Sequence, residues 1–241
     1  MSHSVDYAWC YCEENVFKLL EAVSSASSFF DRSYAVVMTS FDCPPRDEEL
    51  NVWTSAVPYR PYKSSQLMED VTMWDYHVVA VLRSVSTGKW YVVDHDSKLP
   101  PVGDAALGWL APYCIDLDLY VAMVLFLDTS APAPVSSQLT ELLSNVRYRI
   151  VEGEDYLSFL RSDRSHMLES PGVFRATPPP WSTIDAPSSS VSCSAAKRAE
   201  SALQKLPSFL ATNNLVCFIN ISNTLVPGVV VDRHSFRTFF S

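Results

Sequence analysis

Glycine is scarce in this chain. There are 6 in 241 residues, about 2.5% against a usual ~7%. No G-x-G-x-x-G and no Walker-type loop occurs, which excludes nucleotide cradles of those kinds. Basic charge is short as well: 18 Lys and Arg stand against 27 Asp and Glu, a formal charge of −9. That balance offers no basic surface to nucleic acid or to an anionic membrane. Long apolar runs are missing. The longest, Leu119 to Leu127, has nine residues and is closed by Asp118 and Asp128, whereas a membrane helix needs ~20. Met1 to Tyr7 has neither the basic start nor the apolar stretch of a secretory leader. The expectation is a soluble intracellular protein, cytoplasmic and with the nucleus also open to it. Its six cysteines are then free thiols.

What is present reads as one globular domain over residues 1–241. Apolar residues make 48% of the chain and charged residues 19%, too apolar for disorder and too lightly charged for a coiled coil. Val16, Leu19, Leu20 and Val23 form the stripe of an amphipathic helix that begins at Cys12. Glu13 and Glu14 fall in its first turn, where the helix dipole favours acids. Tyr34 to Thr39 reads as a buried strand. Asp42 to Pro45 and Pro58 to Pro61 read as loops. Tyr76 to Arg83 and Trp90 to Val93 read as a hairpin. Ile115 to Leu127 fits a strand or a buried helix. Gln138 to Leu143 and Lys197 to Leu206 read as helices, and Tyr156 to Leu160 as a helical turn. Tyr148 to Val151, Leu215 to Ile221 and Val229 to Asp232 read as strands. Residues 171–196 are Pro- and Ser-rich loop, with the second half expected to be disordered. A leading helix followed by antiparallel strands gives an α+β fold.

Few residues can carry chemistry. Cys12 sits at a helix start, where the positive end of the dipole favours the thiolate, the nucleophilic form. Cys10 precedes the helix and lacks that advantage. Both fit equally well as small buried hydrophobes. Cys10-x-Cys12 is not the spacing of a zinc knuckle, and no second Cys pair follows. Among five histidines, His77 opens an apolar strand and His166 lies in a polar cluster. Either could act as a base, or be a core histidine bonded to a carbonyl. An orienting carboxylate would hold the tautomer of that base. Asp94 and Asp96 follow the strand opposite His77 and share its face. Direct pairing of His77 with Asp94 requires a loop of roughly Arg83 to Gly88. A tight turn at Thr87-Gly88 would set Asp94 opposite Val81 instead. Asp163-Arg164 reads as a surface or inter-loop ion pair. Pro178-Pro-Pro-Trp181 fits a rigid wall beside a pocket, a linker or an SH3-type ligand.

Several tracts together resemble one family, the protein N-terminal glutamine amidohydrolases. They are Tyr7-x-x-Cys10-Tyr-Cys-Glu-Glu-Asn15, Trp74-Asp-Tyr-His-Val78, Asp94-x-Asp96, Ser162-Asp-Arg-Ser-His-Met167 and Pro178-Pro-Pro180. The resemblance runs from about residue 7 to 184, with Val229 to Phe240 similar to the family's last strand and tail. It implies a papain-like or transglutaminase-like thiol-enzyme fold, monomeric and without metal or other cofactor. It implies a triad at Cys12, His77 and Asp94, with His77 starting as imidazolium beside a Cys12 thiolate. The implied reaction removes the side-chain amide of an N-terminal glutamine through a thioester, and feeds the arginylation branch of the N-degron pathway. The partners implied are proteins and peptides with N-terminal Gln. Tyr11, Trp74 and Ser165 join the substrate site by motif membership, and Glu13, Asp75 and Asp163 are the candidate acceptors of the substrate's α-ammonium. The chain departs from the family at Asp94-His-Asp-Ser97, and in a Ser/Pro-rich stretch at about 185–210 that reads as an insertion. Two rival readings stand beside this one: a non-catalytic module that binds an N-terminal residue, and another papain-like thiol hydrolase.

Overall fold

The computed structural model describes residues 6–25, 28–42, 55–59, 71–125 and 137–241. Cys43, Pro61 and the last two residues of the Leu119–Leu127 run lie outside them. Helix α1 (Cys12–Ser24) buries Val16, Leu19, Leu20 and Val23, the stripe read from the sequence. Strands β1 (Phe30–Thr39), β2 (Val57–Tyr59) and β3 (Thr72–Trp74) follow. Then come the hairpin strands β4 (His77–Ser84) and β5 (Trp90–Val93). The ambiguous segment at Ile115 divides into strand β6 (Cys114–Asp116) and helix α2 (Leu117–Met123). The Asp116 side chain caps that helix by accepting from the Leu119 N–H, which halts the strand there.

The second half opens with helix α3 (Ser137–Asn145), strand β7 (Arg147–Glu152) and helix α4 (Gly153–Phe159). A small hairpin joins β8 (Leu168–Ser170) to β9 (Val173–Phe174). Helices α5 (Cys193–Leu203) and α6 (Leu215–Ile219), strand β10 (Val229–Val231) and helix α7 (Arg233–Phe239) complete the chain.

Six strands form one sheet in the order β10-β7-β1-β4-β5-β6, and every neighbouring pair is antiparallel. One face packs Ala35, Val37, Val78, Ala80 and Leu82 against α1, α4 and α6. The other packs Val36, Met38, Val79 and Val81 against α2 and α7. The central strands are therefore covered on both faces, which explains their near-continuous apolar sequence. No described helix is long and apolar enough to cross a membrane.

Three expectations need correction. Leu215 to Ile219 is a buried helix, not a strand. An unbroken apolar run of five carries no period to separate the two. Its ends decide. The Asn214 side chain is tied to the Phe159 carbonyl and the Arg161 N–H. The buried Arg149 guanidinium donates to the carbonyls of Phe218, Asn220 and Asn223, supplying the partners that a helix end lacks. Pro58 and Tyr59 lie in strand β2 rather than a loop, paired with Met73 and Thr72. A two-stranded ribbon leaves Pro an outer edge, where its missing N–H costs nothing. The Ser-rich stretch is ordered rather than disordered. Ser188 is buried, its N–H donates to the Leu157 carbonyl and its hydroxyl to Glu21. Ser192 caps α5, and Ala195 and Ala199 on that helix are buried.

Candidate active site

A tight turn delivers Cys12 to the start of α1. The Asn15 side chain clamps both the N–H and the carbonyl of Ala8 at 2.8 Å. Cys10 takes a left-handed φ of 67°, and the Tyr11 N–H returns to the Ala8 carbonyl. Tyr11, at the helix cap, gives no side-chain hydrogen bond to the first turn. Its fully buried ring packs with Ala8, Met167 and Ala176. The first turn is unusual because Cys12, Glu13, Glu14 and Asn15 are all buried.

Cys12 packs in the core cluster that holds Tyr76 and Val78 of the facing segment. The backbone of Val78, one residue past His77, favours the charged form of the Cys12 sulfur. Across the hairpin, His77 Nε2 meets Asp94 Oδ1 at 3.1 Å, with both side chains buried. Asp94 Oδ1 also accepts the Asp96 N–H, and its Oδ2 accepts the hydroxyls of Tyr59 and Tyr120 at 2.8 and 2.7 Å. His77 Nδ1 is buried and has no hydrogen-bond partner among the described residues. Trp74 lies over the His77 ring at 5.4 Å between centroids, and its indole N–H is likewise buried without a partner.

The hairpin register differs from both that the sequence suggested. Ala80 pairs with Val93 and Arg83 with Trp90. Carried one residue on, Asp94 would face Val79, so His77 and Asp94 are diagonal neighbours on one face. Diagonal positions lie roughly 7–8 Å apart, within reach of a ring and a carboxylate. The turn sets this. The Ser84 N–H bonds to the Lys89 carbonyl and the Gly88 N–H to the Ser84 carbonyl. Gly88 takes a φ of 68°, which glycine adopts without strain.

The charges do not favour a resting thiolate at Cys12. Burial pushes the thiol well up, and Glu13 adds to this; the Val78 backbone opposes them without prevailing. A helix start offers about 0.3–1 kcal/mol to an anion, and burying a charge costs several times that. Burial pulls His77 down, but the charge and hydrogen bond of Asp94 more than offset it, and its pKa is raised. Burial raises Asp94, and His77, Tyr120 and Tyr59 reverse this and hold it low. His77, Asp94 and Asp96 could also ligate a cation, since their ligand atoms lie within 4.8 Å of one another. Asp94, however, is filled by four donors, an arrangement suited to orienting a histidine.

A family model for N-terminal glutamine amidase matches residues 7–240. The chain belongs to that family. It is similar to the protein N-terminal glutamine amidohydrolase of Caenorhabditis elegans, 29% identical over 74% of this chain and 77% of that protein. The Homo sapiens protein of the same name is 28% identical over 74% of this chain and 71% of its own length. That of Caenorhabditis briggsae is 28% identical over 98% and 95%.

Within this amidase-family chain, the remaining motif residues divide. Glu13 is fully buried beside Cys12, with Oε2 3.7 Å from the sulfur. The Tyr76 hydroxyl donates to Oε2 at 3.0 Å, and His166 Nε2 lies 3.2 Å from Oε1. Asp75 is exposed. Asp163 and Ser165 are exposed and tied to Asn213. Arg164 does not pair with Asp163 on the surface. It is buried, and its Nε and Nη2 grip the two Glu14 oxygens at 2.9 and 2.8 Å. Ser162 and the Trp181 indole also donate to Glu14, and Arg164 donates to the carbonyls of Pro179 and Trp181. The Pro178–Trp181 tract is thus fastened to the first turn of α1. Nothing in the local pattern reveals this pairing, because Glu14 and Arg164 lie far apart in the chain. No local pattern marks Tyr59 and Tyr120 either, since they reach Asp94 from other segments of the chain.

Proposed function

We propose that this protein hydrolyses the side-chain amide of N-terminal glutamine, giving N-terminal glutamate and ammonia. The observation that carries the reading is the His77–Asp94 pair at 3.1 Å, which leaves the buried His77 Nδ1 unengaged, beside a helix start that carries Cys12. The match to the family over residues 7–240 agrees with it.

Cys12 is the nucleophile, His77 the acid and base, and Asp94 the orienting group. Since burial and Glu13 keep the thiol protonated at rest, His77 must be neutral for attack. Its Nδ1 takes the Cys12 proton as sulfur bonds to the amide carbon. The imidazolium gives that proton to the departing nitrogen, and ammonia leaves a γ-glutamyl thioester. His77 then removes a proton from water, which attacks the thioester. The C–S bond breaks, His77 returns its proton to sulfur, and the carboxylic acid formed ionises, its proton taken up by the released ammonia. Asp94 holds Nε2–H throughout and fixes the tautomer. The Cys12 N–H, in an uncapped first turn, donates to the oxyanion, a contribution of roughly 3–4 kcal/mol.

The same reading makes the fold papain-like, with the thiol on a leading helix packed on an antiparallel sheet. The enzyme acts as a metal-free monomer in the cytoplasm or nucleus, upstream of arginylation. The stretch at about 185–210 is a family-atypical insertion folded onto α4. The test is mass spectrometry of a Gln-Xaa peptide beside its N-acetylated and Asn-Xaa versions. Conversion of amide to acid, with ammonia release, is expected on the free Gln peptide alone. Binding of that peptide without conversion, by protein with reduced Cys12, would favour the non-catalytic binding module.

A further inference from the structure

We infer that Asp96 is the acceptor of the substrate's α-ammonium, and so the residue that restricts the site to a free N-terminus. The inference rests on the reading just given.

The substrate's shape limits where that acceptor can be. Only the glutamine side chain reaches the thiol. The α-carbon also carries the rest of the protein, so it stays at the mouth of the site. Three carbon–carbon bonds separate it from the reacting carbon, about 4 Å in extended form. The ammonium is bonded to that same α-carbon. Its partner must therefore be an accessible carboxylate at the rim, a few ångströms from Cys12.

The carboxylates around the site can be sorted on this ground. Asp94 is buried and filled by four donors. Glu14 is buried and held by Arg164, Ser162 and Trp181. Glu13 has an oxygen without an aligned hydrogen bond, but it is 0% exposed, where an α-carbon bearing a protein cannot follow. Asp163 already accepts from Ser165, Thr212 and Asn213. Asp96 differs from all of these. It is half-buried and stands within 4.8 Å of the ligand atoms of His77 and Asp94. Its charge bears on both Cys10 and Cys12. Oδ1 accepts the Tyr7 hydroxyl at 2.8 Å, while Oδ2 accepts no hydrogen bond from the described residues.

Tyr7 has a definite part. It is 42% exposed, stacks on His95 at 5.3 Å between centroids and fixes the orientation of Asp96. The free oxygen is thereby held in place before the substrate arrives. A cation also suits the local charge. Three carboxylates, Glu13, Asp96 and Asp94, act on the Cys12 thiol, and the His77 ring that takes its proton is neutral. An ammonium at Asp96 offsets part of the negative charge that adds to burial in raising the Cys12 thiol.

The test compares two peptides that differ only at the α-position: Gln-Xaa and its desamino analogue, the 4-carbamoylbutanoyl peptide. The purified protein should prefer the free amine by about 10- to 100-fold in kcat/KM, the range for a hydrogen bond to a charged group. Asp96→Asn should collapse that ratio towards one, chiefly through a higher KM on the free peptide, and Asp96→Glu should restore part of it. Any effect on thiol activation is common to both peptides and cancels in the ratio. An Asp96→Asn ratio equal to the parent's would overturn the inference. So would a ratio that collapses in Glu13→Gln and stands in Asp96→Asn. A parent protein that converts neither peptide would instead sink the proposed reaction itself.

Discussion

His77 Nε2 meets Asp94 Oδ1 at 3.1 Å although the two residues are diagonal, not direct, neighbours across the β4–β5 hairpin. Four donors converge on the Asp94 carboxylate, and Tyr59 and Tyr120 hold the oxygen that His77 does not use. Asp94 is thus fixed before it fixes His77. Asp94→Asn should keep the packing, offer His77 a donor in place of an acceptor, and lose turnover by about 10⁴-fold. Asp96→Asn should cost far less, because Asp96 has no hydrogen bond to His77. Steady-state ammonia release from the two variants decides. A worse loss in Asp96→Asn would move the orienting role there.

Cys10 and Cys12 separate by position. Cys12→Ala and Cys12→Ser should abolish turnover while the thermal melt stays near the parent's, since Cys12→Ser keeps nearly the same shape in the packed first turn. Cys10→Ala should retain most activity. Its left-handed backbone, with a φ of 67°, is costlier for a residue with a Cβ than for glycine, and cysteine and alanine share that cost. Matched losses from Cys10 and Cys12 variants would defeat the assignment of the nucleophile.

The charges set a direction for pH. His77 is raised above its ordinary value of about 6.5 and Cys12 lies well above its own. With both groups protonated the site is idle. As pH rises, His77 loses its proton first, and the reactive form appears. The acid limb of kcat/KM should therefore be centred above about 6.5. In Asp94→Asn burial is opposed only by the weaker charge of Asp96, so the limb should shift to lower pH. A limb below 6.5 in the parent, or one unmoved in Asp94→Asn, would contradict this ordering.

Legibility in the sequence followed the range of the interaction. The α1 stripe was readable because Val16, Leu19, Leu20 and Val23 repeat at helical spacing within one segment. The β4 and β5 strands were readable from apolar runs bounded by turn residues, and a shared face for His77 and Asp94 followed from period two. The register was not, because it depends on how Ser84 and Gly88 close the turn. Helix α6 reads as a strand because Leu215 to Ile219 is apolar on every side, and its ends are made by Asn214 and by Arg149, a residue on β7. Glu13 and Glu14 read as first-turn acids favoured by the helix dipole; their buried partners are His166 and Arg164, about 150 positions later. Contacts of that separation leave no local pattern.

The Glu14–Arg164 pair gives the last prediction. Its side chains are 0% and 8% exposed, so neither is free to be solvated when the other is removed. Arg164→Met should leave the Glu14 carboxylate with only Ser162 and Trp181 as donors. Stranding a buried charge costs about 3–5 kcal/mol, which lowers the melting temperature by roughly 6–20 °C for a chain of this size. Arg164→Lys should recover little, because an ammonium cannot grip both oxygens or reach the Pro179 and Trp181 carbonyls at once. The double variant Glu14→Gln with Arg164→Met should be more stable than Arg164→Met alone, since no charge is left stranded. Calorimetric melts of the three variants separate the outcomes. A single Arg164→Met variant that melts with the parent would show that the pair does not anchor the first turn of α1.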